Sequence, residues 1–178
     1  MKKIILLIIS VFLFAGEAHS KRQVVIDAKY VKRYKQEAAG WSQEQKSWLT
    51  FVYSRCIKYN LGNTCVAIAW EESQFNVYGV IPETGDYGIM GINLYWFLRD
   101  NNLNTRNRYV RNKWATRLVK DDEYNLMYAI AKLQKLKDKY HNWYSVWAHY
   151  NGGTTPNWEY AKRILNRIYV FRKVILGE

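Results

Sequence analysis

The sequence predicts a mainly α, single-domain protein, and three observations carry that expectation. Apolar residues recur at helical spacing along most of the chain. Helix-capping side chains stand just ahead of those runs. Strand-type alternation is almost absent. A chain of 178 residues, 49% of them hydrophobic, supports one core that needs no metal or disulfide framework and leaves no room for a second catalytic domain.

Residues 1–20 read as a secretory signal rather than as part of the fold. Met1-Lys2-Lys3 gives a positive start, Ile4 to Phe14 an apolar run broken only by Ser10, and Ala18-His19-Ser20 the small residues ahead of a cleavage site. The run is about half the ~20 residues that a membrane span needs, so a cleaved signal is expected over an anchor. The folded domain is then 21–178, and its expected location is the periplasm or cell envelope.

The helices follow in order. Ser42-Gln43-Glu44-Gln45 reads as a capping box, and Trp48, Leu49, Val52, Cys56 and Ile57 extend one amphipathic helix until Gly62 stops it. Asn63 or Thr64 restarts a short apolar helix through Cys65 to Trp70, ending in Glu71-Glu72-Ser73. Gly79, Pro82, Gly85 and Gly88 mark a loop over residues 76–88. Ile89 to Leu98 predicts another short helix, and Asn101 to Lys113 a polar, basic surface stretch. Asp121 or Asp122 caps a helix carrying Leu126, Ile130 and Leu133, and Asn142 caps one carrying Trp143, Val146, Trp147 and Tyr150. Thr155-Pro156 then precedes a last helix with Trp158, Ala161, Ile164, Leu165 and Ile168. There is no internal repeat or linker.

Charge narrows the partners. The 27 basic and 15 acidic residues give a net +12, and loss of Lys2, Lys3 and Glu17 with the signal leaves +11. An exported protein this basic is expected to meet wall polymers or lipid headgroups and not nucleic acid. Eight Trp and fifteen Tyr suit either a core or a sugar-binding groove. Cys56 and Cys65 stand on either side of the Leu61-Gly62-Asn63 turn. Export favours a disulfide between them, with two buried thiols on an apolar helix face as the alternative. With so few Cys and His, no metal site and no cofactor are expected.

Chemistry has to come from residues that break the local rules. Glu71 and Glu72 close an apolar helix just ahead of a glycine-rich loop, where a desolvated carboxyl keeps its proton near neutrality, as a general acid must. Adjacent helical residues point about 100° apart, so the two cannot face each other as a pair.

Four segments set the acid in context: Glu72-Ser73-Gln74-Phe75-Asn76, Tyr87-Gly88-Ile89-Met90-Gly91-Ile92-Asn93, Asp122-Glu123-Tyr124-Asn125-Leu126, and Trp147-Ala148-His149-Tyr150-Asn151-Gly152-Gly153. Together, in this order, they resemble the soluble lytic transglycosylase catalytic domain, a goose-lysozyme-like fold that cleaves peptidoglycan. The likeness spans about Cys65 to Ile164. It implies that Glu72 is the catalytic acid and Ser73 a neighbouring sugar or peptide contact. Ile89 and Met90 would line the glycan groove, Tyr150 would lie over the carboxyl and hydrogen-bond to it, and Asn151 would hold the turn or touch the glycan. Two positions depart from the family pattern: Gly91 stands at the usual Gln, and Ala129 at the usual Gly of the Asn-led helix.

The resemblance implies peptidoglycan strands as substrate, cleavage to 1,6-anhydromuramic ends, and a monomer, with a secretion or conjugation machine of the envelope as a partner compatible with the short length. Two other readings stay open. A hydrolytic lysozyme would use Asp86 or Glu83 as a second carboxylate. A non-catalytic wall-binding module would keep the groove while Gly91 leaves the acid without its setting.

Overall fold

The computed structural model describes residues 25–76, 79–81 and 84–178. The signal read over residues 1–20 lies outside them, as does Glu83. Eight α-helices occur among the described residues: α1 (Ala28–Ala39), α2 (Gln43–Cys56), α3 (Gly62–Ser73), α4 (Leu94–Asp100), α5 (Arg108–Lys120), α6 (Asp122–Tyr140), α7 (Trp143–Gly152) and α8 (Trp158–Val170). The expected mainly α fold is therefore observed. Between α3 and α4 a small antiparallel sheet runs in the order β1 (Val80–Ile81), β2 (Asp86–Tyr87), β3 (Ile92–Asn93). Val80 pairs with Tyr87, and Asp86 with Asn93.

The centre of the molecule is α3. Its Cys65–Trp70 stretch is apolar on every side, and each of these residues is buried, as expected of a helix with no face left for water. Helices α2 and α8 pack against α3, α1 and α7 lie on α8, and α6 packs on α7. Aromatic rings fill the wall between α1 and α3. The Trp41 and Trp70 rings meet edge to face at 4.6 Å, and Trp41 meets Phe75 the same way at 5.1 Å.

Caps explain most helix starts. The Ser42–Gln45 capping box is present, Asn142 caps α7, and of the two aspartates considered it is Asp121 that caps α6, accepting from the Tyr124 N–H. Other boundaries differ from the sequence reading. The α2 helix ends at Cys56 and passes through a 3-10 turn at Ile57–Tyr59, and Gly62 opens α3 instead of closing α2. Asn157, not Thr155, caps α8, because Pro156 lies outside the helix and leaves the Asn157 carboxamide to accept from the Tyr160 N–H at 3.0 Å. The helix expected from Ile89 starts only at Leu94: residues 88–91 form a turn and 92–93 a strand, with Asn93 accepting from the Trp96 N–H as the cap. The basic stretch runs into α5, whose one buried residue is Leu118.

Candidate active site

Glu72 sits at the last turn of α3, where the chain leaves the core. Directly after it, Gln74, Phe75 and Asn76 all have left-handed backbones, with φ of 49°, 58° and 70°. Three such non-glycine residues in a row are strained, each by roughly 1 kcal/mol, and such strain gathers at functional sites. Ser73 holds the reversal in place. Its hydroxyl lies 2.9 Å from the Ile89 carbonyl and 3.1 Å from the Ala69 carbonyl, to which it donates, and its oxygen accepts from the Asn76 N–H at 2.9 Å.

The Tyr160 hydroxyl, from α8, donates to Oε1 of Glu72 at 2.6 Å. Burial is the main force on this carboxyl and raises its pKa from 4.5 to about 7. The negative charges of Asp86 and Glu71 push the same way, while the Tyr160 hydrogen bond and Lys132 pull it down. Glu72 can therefore hold a proton near neutrality and still give it up.

The neighbouring Glu71 has a different task. Arg163 and Arg167 of α8 bind its two oxygens at 2.6 and 2.8 Å. Arg167 also reaches Glu37 of α1 at 3.0 Å, and its guanidinium lies over the rings of Tyr34 and Trp70 at 4.0 and 4.6 Å. With both partners largely covered, Glu71 is an anchor tying α3 to α8 and α1. The two adjacent acids thus differ in their partners: Glu71 is held by two arginines and Glu72 by a tyrosine.

Facing Glu72 is the 88–91 turn. Gly88 and Gly91 have φ of 75° and 58°, and neither position has room for a side chain. A Cβ on Gly88 would fall 2.2 Å from the Leu118 carbonyl oxygen, and one on Gly91 would fall 2.6 Å from Oε2 of Glu72. The turn is clasped by Asn125, which is fully buried: its Oδ1 accepts from the Met90 N–H at 2.9 Å, and its Nδ2 donates to Tyr87 O and Leu118 O at 2.9 and 3.1 Å. From the other side the Tyr150 hydroxyl donates to the Met90 carbonyl at 2.9 Å. The Leu118, Asn125 and Tyr150 contacts come from α5, α6 and α7, so three helices fix one turn against the acid.

Several residue roles implied by the resemblance need correction. Tyr150 does not bond the Glu72 carboxyl; its hydroxyl is spent on Met90, and Tyr160 takes the carboxyl instead. Ser73 is fully buried and bonds only backbone, so it braces the site from behind and offers no sugar contact. Ile89 and Met90 are likewise fully buried, so their side chains are core, and what they bring to the site is backbone position. Asn151 is exposed and its Oδ1 accepts from Asn157 Nδ2 at 2.9 Å, the turn-holding half of its expected role. Cys56 and Cys65 are both buried and free, with their thiols in hydrogen-bond contact, so the bridge expected between them is absent and the alternative of two buried thiols holds.

Asp86 of β2 accepts from Asn93 Nδ2 at 3.0 Å and lies close enough to raise the Glu72 pKa. The sequence reading names Asn125 only as part of the Asp122–Leu126 motif and does not single out Tyr160, and the structure gives both a place at the site. A signal for the second existed: Tyr160, Arg163 and Arg167 share one face of α8 at helical spacing, matching the Glu71-Glu72 pair across from it. Among the described residues no group of three or more His, Cys, Asp or Glu could hold a metal ion, and no helix is long and apolar enough to cross a membrane.

Residues 54–167, more than half of the chain, match the family model described as the Transglycosylase SLT domain. Comparisons with curated proteins and with solved structures return no match.

Proposed function

From a chain that belongs to the Transglycosylase SLT domain family, we propose an enzyme that cleaves the β-1,4 bond between N-acetylmuramic acid and N-acetylglucosamine in peptidoglycan and leaves 1,6-anhydromuramic ends. The observation that carries this reading is a single desolvated carboxyl, Glu72, with a pKa of about 7, bonded by Tyr160 and set against a side-chain-free turn at Gly91. One such group serves both halves of the reaction. As an acid, Glu72 protonates the glycosidic oxygen while the bond from C1 breaks, and the substrate's own N-acetyl group stabilises the oxocarbenium-like centre. As a base, it then takes the proton of the C6 hydroxyl, whose oxygen bonds to C1. The proton balance closes and no water is consumed.

A second reading, a hydrolytic lysozyme, is favoured by Asp86, which lies within the electrostatic reach of Glu72 and would activate water or trap the sugar. Digestion of purified sacculi with mass analysis of the released muropeptides separates the two. Products lighter by one water than lysozyme products, formed equally by Asp86→Asn, support the transglycosylase; reducing muramic ends that vanish in Asp86→Asn assign the hydrolase. Binding to sacculi with no soluble product assigns a wall-binding module.

The proposal extends to place and partners. The signal read over residues 1–20 supports export to the periplasm or envelope, where the net +11 charge left after its removal meets the anionic wall. Opening the wall locally for a secretion or conjugation machine is a role compatible with a domain this short.

A further inference from the structure

Helix α5 carries five cations, Arg108, Arg111, Lys113, Arg117 and Lys120, and no acid, and all five are exposed. Residues 99–120, which include it, hold seven Lys and Arg against one acid, Asp100, and so carry net +6 of the +11 on residues 21–178. This charge does nothing for the helix. Arg108 and Arg111 stand at its first turn, where the helix dipole disfavours a cation, and Arg117 meets Lys113 and Lys120 as like charges four and three residues away. Among the described residues Arg117 is the one of the five with an acidic partner, Asp121 at 3.6 Å. Arg111 donates to the Thr105 carbonyl at 3.2 Å, which leaves its charge unpaired. The inner side of α5 is fixed to the turn that faces Glu72. The Leu118 carbonyl accepts from Asn125 Nδ2 at 3.1 Å, the same nitrogen donates to Tyr87 O at 2.9 Å, and Gly88 lies against Leu118 O with no room for a Cβ. Between Tyr87 and the helix runs a groove lined by Ala115, Thr116, Val119 and Lys120. A cationic face therefore begins beside the site and follows the 13 residues of α5 for about 20 Å.

We propose that the outer face of α5 binds the stem peptides of the glycan strand that enters the Glu72 site, taking their carboxylates on Arg108, Arg111, Lys113 and Lys120, so that the protein prefers strands carrying stems to strands stripped of them. The inference rests on the peptidoglycan reading above. Stem peptides hang along the strand and their free carboxylates outnumber their amines, so a row of cations fixed to the wall of the site meets several of them while the sugar lies at the acid. One exposed ion pair contributes little, but a row of them along one strand adds up. A lipid surface fits this helix less well. Binding in a bilayer interface needs an apolar helix face, and Val110, Trp114 and Leu118 of α5 pack inward against the core.

The test is binding, measured by calorimetry on the full chain carrying Glu72→Gln, so that strands stay intact, or on the wild type in the cold if that variant does not fold. The two probes are uncross-linked glycan strands with their stems and the same strands after an amidase has removed them. Stem-bearing strands should bind at least about tenfold more tightly, and added salt should narrow the gap. Arg108→Gln with Lys113→Gln, and separately Arg111→Gln with Lys120→Gln, should each weaken binding of stem-bearing strands by roughly three- to tenfold and reduce the ratio between the probes. Circular dichroism checks that each variant is folded. Equal binding of the two probes, or an unchanged ratio in the folded double variants, overturns the proposal. Loss of affinity in those variants for phosphatidylglycerol vesicles but not for stem-bearing strands overturns it too and makes the face a lipid site. Muropeptide release by the wild type tests the glycan-cleaving reading separately: a preference for stems without any product sinks that reading alone, and product without a preference sinks this inference alone.

Discussion

Gly91 and Glu72 are in van der Waals contact, so close that a single added carbon on Gly91 would lie 2.6 Å from Oε2 and 2.8 Å from Cβ of the acid. Gly91 also has φ of 58°, which a side chain disfavours. The departure from the usual Gln is thus built into the backbone, and the turn itself forms the wall behind the carboxyl.

Restoring a side chain there should be harmful. Gly91→Gln and Gly91→Ala are both expected to cut glycan cleavage at least about tenfold by displacing Glu72, and to destabilise the fold by about 1–3 kcal/mol. Sacculus digestion and thermal melts check both. A Gly91→Gln variant more active than wild type would mean that the turn moves to admit the amide.

Neutralising each acid in turn should separate chemistry from stability. Glu71→Gln removes a largely covered charge from between Arg163 and Arg167, and is expected to cost about 3 kcal/mol of stability while cleavage persists in the folded fraction. Glu72→Gln should lose nearly all cleavage and gain stability at high pH. The Glu72 pKa rises from 4.5 to about 7 on folding, so its contribution is fully present below pH 4.5 and is lost as pH climbs through 7. Denaturant melts at pH 8 should show Glu72→Gln more stable than wild type by up to about 3 kcal/mol, with the gap closing by pH 4.5.

The two tyrosines should differ in pH profile. Tyr160→Phe removes the hydrogen bond that favours ionised Glu72, so the high-pH limb of the activity profile should move to higher pH. Tyr150→Phe removes a hydroxyl bonded to backbone, and should lower the rate without moving that limb through a hydroxyl contact. Identical profiles for the two variants would contradict the observed division of labour.

The thiols should be protected and free. Burial raises the Cys65 pKa well above 9, and its hydrogen bond with Cys56 adds to this. A polar thiol reagent should label neither cysteine in the native protein and both after unreduced unfolding. No labelling after unfolding would reveal the bridge that export favours.

Much of the fold was legible one element at a time. The Ser42 box, the Asp121 and Asn142 caps and the apolar run of α3 are local signals, because capping and helical periodicity are settled within a few residues. What the local code misplaced lies where a tertiary contact overrides it. Residues 89–93 are apolar enough for a helix, yet the Asn125 clasp and the left-handed Gly88 and Gly91 make a turn that leads into the short strand at 92–93.

The sequence by itself determined the helical class and the ordered motifs that the family match supports, and from those motifs comes the expectation that Glu72 and not Glu71 is the acid. Only the tertiary structure decided which tyrosine serves the acid, since Tyr150 and Tyr160 stand 78 and 88 residues from Glu72 and either could reach it on sequence grounds. It also turned Ser73, Ile89 and Met90 from groove to core, and left Cys56 and Cys65 as thiols. The physical reason is the same in each case. A helix pattern says which face is apolar, but the direction of a hydroxyl, the burial of a carboxyl and the shift of its pKa depend on the elements packed around it, and those arrive from distant parts of the chain.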